Sequence, residues 1–121
     1  LLLVAQLMRD SFRYGDALYR FGGEEFVVLL RAPDRPSAGS AFERFRERMM
    51  NHAFPQVGRV TASVGYTLIR GTDLPSAAFE RADRAVYFAK QNGRNQARCF
   101  EALVEEGALE APERIGEVEL F

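Results

Sequence analysis

The chain has no tryptophan, one cysteine, one histidine and almost no net charge. Each shortage closes off a class of protein. A lone thiol, Cys99, excludes an internal disulfide framework. It falls in a β-prone run, so an inert buried thiol, compatible with a reducing cytoplasm, is the expectation. His52 has no nearby Cys or His with which to share a metal, and a helix-surface role is expected of it. A net charge of −1 over 121 residues provides no global field for nucleic acid or an anionic membrane. The opening run Leu1-Leu2-Leu3-Val4 is far too short to span a bilayer. It also lacks the basic leader and small-residue cleavage site of a signal peptide. It reads as a chain entered in the middle of a helix, hence as a fragment of a longer protein.

What is present is enough for one globular domain. Ten Phe and 47% hydrophobic residues can bury a real core at this length. Leu3, Val4, Leu7, Met8 and Phe12 recur at helical spacing. Ala17 to Phe21 and Glu24 to Leu30 read as a strand pair. After the loop Pro33-Asp34-Arg35-Pro36, Ser37 is the expected cap of a helix running to about Met50, with Phe42, Phe45 and Met49 on one face. From Val57 to Ile69, Val60, Ala62, Val64 and Tyr66 alternate with Thr61, Ser63, Gly65 and Thr67, which predicts strand. Ser76 is the expected cap of a second helix, Ala77 to Gln91, which Asn92-Gly93 stops. Gln96 to Phe100 reads as a last short strand. The acidic stretch 101–121 reads as a partial helix followed by loose chain, a tail or linker after a domain at 1–100. Helices on a mostly antiparallel sheet fit this order, an α/β (α+β) architecture.

The most informative run is Arg20-Phe21-Gly22-Gly23-Glu24-Glu25-Phe26. Gly-Gly between β-prone segments predicts a two-residue hairpin turn, and glycine lets a ligand lie against the backbone. Adjacent carboxylates at a sheet rim suit hard cations such as Mg²⁺, which bind together with phosphates. Taken alone, such a run is structural more often than chemical.

The rest of the chain shifts that balance. Gly22 to Phe26 has the GGEEF form of a motif, and four further segments follow the same family pattern in order and spacing. These are Arg13-Tyr14-Gly15-Asp16, Thr61-Ala62-Ser63-Val64-Gly65, Ala82-Asp83-Arg84-Ala85-Val86-Tyr87-Phe88-Ala89-Lys90 and Gln91-Asn92-Gly93-Arg94-Asn95. Over roughly Leu1 to Phe100 the chain resembles the GGDEF family, whose active members are diguanylate cyclases. The resemblance implies a nucleotidyl-cyclase-like palm fold. It implies GTP as substrate, condensed in pairs to cyclic di-GMP with release of pyrophosphate, Mg²⁺ (or Mn²⁺) as cofactor, and a homodimer for catalysis. Sensory domains would lie elsewhere in a parent protein whose cyclase domain is cytoplasmic, whether or not that parent is membrane-anchored.

Residue by residue, the resemblance implies that Glu24 is catalytic and binds metal, and that Glu25 is a metal ligand. Gly22 and Gly23 would admit the nucleotide, and Lys90 and Arg94 would neutralise its phosphates. Arg13 and Asp16 match the family's RxxD inhibitory site for the product, with five residues before Gly22, and Arg44 matches a secondary contact to that inhibitor. Thr61 to Gly65 reads as scaffold, with Gly65 allowing close packing, and Asn95 as a residue that pins its turn. A complete family domain starts earlier, with a first strand bearing a metal-binding Asp, a phosphate-binding turn, and guanine-reading Asn and Asp. The resemblance finds none of these here, which implies a central strand missing and a chain incompetent in isolation. The alternative is a catalytically incompetent module of a larger signalling protein, one that binds cyclic di-GMP or dimerises.

Overall fold

The computed structural model describes residues 17–20, 26–29, 34–55 and 57–111. Asp34 opens the first described helix, α1 (Arg35–Asn51), by accepting the Ser37 backbone N–H on its carboxylate at 2.8 Å. Pro36 explains why the cap is Asp34 and not Ser37 as expected. Proline has no N–H to satisfy and is at home in a first turn, so the helix begins ahead of it. Ala38, Ala41, Phe42, Phe45 and Met49 form the buried face, in line with the sequence spacing. His52 caps the far end and sets its ring edge-on to Phe54, centroids 4.6 Å apart.

The same correction applies to α2 (Pro75–Gln91). Pro75 occupies its first turn, Leu74 is the N-cap without a side-chain bond, and Ser76 lies inside the helix. Asn92 is the C-cap and Gly93, at φ 108°, ends the helix where the sequence indicated.

The strands pair in three separate ladders among the described residues. β1 (Ala17–Arg20) runs antiparallel to β2 (Phe26–Leu29), with Ala17 opposite Leu29 and Arg20 opposite Phe26. β3 (Ala53–Phe54) and β4 (Gly58–Arg59) form a short antiparallel pair. β5 (Val64–Tyr66) and β6 (Ala97–Cys99) are parallel, Gly65 opposite Arg98. Parallel strands need a long crossover, and α2 is that crossover. The long strand expected over 57–69 is therefore two short pieces, with 60–63 outside any ladder. Alternation reports a pleat but does not supply a partner.

The chain turns directly from β6 into α3 (Phe100–Glu105). Phe100, expected at a strand end, instead starts this helix and enters the core. Phe100 and Leu103 are each 1% exposed and close on Ala85 at 0%, with Phe88, Val104 and Leu109 around them. Burying a side chain of the size of Phe100 is worth roughly 2–3 kcal/mol. Cys99 is buried, and that burial pushes its thiol pKa up, away from the reactive thiolate.

Candidate functional site

Gly65 sets the position of the site. A Cβ built there would lie 2.3 Å from the Val86 backbone nitrogen and 2.4 Å from the Ala82 carbonyl oxygen. The backbone of α2 therefore rests directly on β5, the close packing expected of this glycine. Ala85 and Ala89 complete the helix face, both at 0% exposure. This seating directs the last turn of α2 and the turn beyond it to the surface.

Lys90 is exposed in that last turn, where a cation also complements the helix C-terminus. Three consecutive residues then take positive φ: Gly93 at 108°, Arg94 at 60° and Asn95 at 46°. Glycine takes this conformation freely and Asn tolerates it, whereas for Arg it costs energy. The turn is held from several sides. The Arg94 N–H donates to the Ala89 carbonyl at 2.9 Å. The Gln96 amide nitrogen donates to the carbonyls of Asn92 and Arg94 at 2.8 and 3.1 Å. The Asn95 N–H donates to Ser63 Oγ at 3.2 Å, and Asn95 Oδ1 accepts from Arg46 Nη1 at 2.9 Å. Asn95 thus pins the turn, as its place in the sequence pattern suggested. The Arg94 side chain is exposed. Two cations four residues apart are brought to one end of one helix, an arrangement that can hold an anionic oxygen cluster.

Arg44 lies elsewhere, on the exposed side of α1. Arg13, Asp16, Gly22, Gly23, Glu24 and Glu25 fall outside the described residues, as do the helix expected at the start of the chain and the two-residue turn. The strands that lead into and out of the Gly-Gly-Glu-Glu run are described, and they pair up to Arg20 and Phe26.

The sequence reading missed a buried polar network at the other end of α2. Arg81 is 4% exposed. Its Nη1 and Nη2 donate to the two carboxylate oxygens of Asp73 at 2.9 and 2.6 Å, its Nε to Thr67 Oγ1 at 3.0 Å, and Nη2 also to the Leu68 carbonyl at 2.9 Å. Glu101, from α3, accepts from Thr67 Oγ1 at 2.5 Å and from the Leu68 N–H at 3.3 Å. The Arg81 guanidinium, helped by the Arg70 N–H, holds the Asp73 carboxyl down at about 2. This network is structural: it ties the 67–73 loop to α2 and α3, and its exposed cation, Arg70, is paired with Glu101 at 3.5 Å. Nothing local around Arg81 signals it, because its partners are distant in sequence.

Comparison with known proteins identifies the family and the fold. The chain is 39% identical to the diguanylate cyclase DgcP of Pseudomonas aeruginosa over 99 residues, 79% of this chain and 15% of that protein. It is 38% identical to diguanylate cyclase A of Treponema denticola over 98 residues, 77% of this chain and 26% of that protein. The chain thus spans about a sixth to a quarter of the length of these relatives. Among solved structures, the active GGEEF domain of a diguanylate cyclase from Vibrio cholerae superposes with a TM-score of 0.74 at 29% identity, over 83% of this chain and 65% of that one. The GGDEF domain of DgcB from Caulobacter crescentus, solved with cyclic di-GMP, shares the fold at a TM-score of 0.69 and 24% identity, over 81% of this chain and 61% of that one. The model of the diguanylate cyclase GGDEF domain matches residues 1–96, the α/β fold is that of its solved members, and the chain belongs to this family.

Proposed function

We propose that this chain is the GTP-handling part of a diguanylate cyclase, which joins two GTP molecules into cyclic di-GMP and releases pyrophosphate from each. The observation that carries the reading is the family match over residues 1–96 with the Gly22-Gly23-Glu24-Glu25-Phe26 motif intact inside it. Each 3′-hydroxyl attacks the α-phosphorus of the other GTP, so that one P–O bond forms and the bond to pyrophosphate breaks. Two chains, each presenting one GTP, meet for this. Glu24 takes the hydroxyl proton, Gly22 and Gly23 let the nucleotide lie close, and Lys90 and Arg94 hold its phosphate oxygens.

Mg²⁺ on Glu24 and Glu25 would neutralise charge at the phosphate. Both carboxylates lie outside the described residues, and among the described residues no three metal-binding side chains cluster. Arg13 and Asp16, with Arg44, take the cyclic product as an inhibitor. Among the described residues no helix is long and apolar enough to cross a membrane.

The test uses the full-length parent protein, stripped of bound nucleotide and incubated with GTP and Mg²⁺. Chromatography should detect cyclic di-GMP, and Glu24→Gln should lower its rate by at least about 100-fold, the scale of a lost general base. No product from the wild type overturns the reading. Cyclic di-GMP binding that Arg13→Ala abolishes, without turnover, would instead identify a receptor module.

A further inference from the structure

Arg46 is a half-buried cation that the proposed chemistry does not use. Its side chain is 15% exposed, on the flank of α1. Glu43, one turn earlier, accepts Nε at 2.7 Å and also contacts Nη2. That grip leaves Nη1 directed across to the turn after α2. There it donates to Asn95 Oδ1 at 2.9 Å and reaches the Asn95 carbonyl oxygen at 3.5 Å. Asn95 Nδ2 returns to Met50 Sδ at 3.2 Å, so both ends of the Asn95 amide are tied to α1.

The residue held in this way adjoins Arg94, and both have left-handed backbone. Two successive non-glycine residues in that region persist only where the surroundings fix them. The local bonds come from Ala89 and Gln96, and Ser63, 32 residues away, holds the Asn95 N–H. From α1, Arg46 and Met50 hold the turn, and Arg46, 49 residues away in sequence, supplies the charged contact to Asn95 Oδ1. Without it, Asn95 can relax toward right-handed backbone and take the direction of the Arg94 side chain with it.

We propose that Arg46 is a positioning residue for GTP: through Asn95 it fixes the direction from which Arg94 meets the phosphates. The proposal rests on the reading of Arg94 as a phosphate contact. A misdirected guanidinium loses the bidentate geometry that makes Arg selective for phosphate oxygens.

The test is a double-mutant cycle in the full-length protein, reading KM for GTP, kcat and melting temperature. Arg46→Met should raise KM about 5-fold in the wild-type background, the size of coupling expected for groups in one network. In the Arg94→Ala background it should raise KM by less than about 2-fold, since no guanidinium is left to misdirect. Its effect on melting temperature should be the same in both backgrounds, which separates positioning from general stability. Should Arg46→Met not fold, Asn95→Gly removes the same bond while keeping the left-handed backbone allowed, and the same pattern is expected. KM effects that multiply in the double variant, or an Arg46→Met enzyme with unchanged KM beside an impaired Arg94→Ala, overturn the positioning role alone. An Arg94→Ala enzyme with unchanged KM removes the phosphate reading and, with it, this proposal.

Discussion

Arg81 and Arg94 stand toward opposite ends of α2, and they meet opposite fates. Arg81 is buried and spends its donors on Asp73, Thr67 and the Leu68 carbonyl. Arg94 is exposed, and among the described residues its side chain has no ion-pair partner, while its backbone is held on several sides. In the first case the side chain is the fastener. In the second the backbone is fastened so that the side chain is left available. In the function proposed above, the same residue type serves stability within the helix and phosphate binding just beyond it, and the distinction lies in where its hydrogen bonds go.

Substitution should separate the two. Arg81→Leu removes the guanidinium that binds both Asp73 carboxylate oxygens, Thr67 and the Leu68 carbonyl, and frees the loop that these bonds anchor. Calorimetry of the variant should show a melting temperature lower by roughly 10 °C, with KM for GTP unchanged in the folded fraction. Arg94→Ala should do the reverse, leaving melting alone and raising KM. An Arg81 variant that melts normally, or an Arg94 variant that melts early, would break the comparison.

Acid should weaken the Arg81 network. The Asp73 carboxyl is held at about 2, below its ordinary 3.8, chiefly by hydrogen bonds from Arg81. A depressed carboxyl stabilises the fold above its unfolded value, and the contribution is lost as pH falls through the folded value. Melting temperature should therefore fall as pH drops from 3.8 toward about 2, and Asp73→Asn should flatten the curve in that window. Equal slopes for wild type and variant would contradict the assignment.

The smallest effect is expected from the exposed fork between Arg35 and Glu105, at 3.0 and 2.9 Å, which joins α1 to α3. Exposed pairs contribute little and are screened by salt. Glu105→Gln should lower the melting temperature slightly at low salt and not at all at high salt. A loss that survives high salt would show that exposure is a poor guide to which bridges matter here.

The two long helices were legible because their buried residues recur at helical spacing: Phe42, Phe45 and Met49 in α1, Ala85 and Ala89 in α2. Both starting points were read too late for one reason. Ser37 and Ser76 are good caps by type, but each follows a proline that belongs in a first turn. The ladders were over-read between Val57 and Ile69, since alternation alone does not say where a partner strand runs. The turn around Gly93 was legible because helix stops and Asn-Gly turns are local, whereas Lys90 and Arg94 were singled out only by the family pattern. The Arg46 and Arg81 contacts were not legible, because each depends on segments that only the fold brings together.

The contact at Gly65 has a consequence for how this gene can vary. Every single-nucleotide change that replaces a glycine adds at least a Cβ or ends the chain. Any such atom would meet the backbone of α2 at Val86 and Ala82, which cannot rotate out of the way as a side chain can. Position 65 can therefore drift only among synonymous glycine codons without disturbing the seating of α2 on β5.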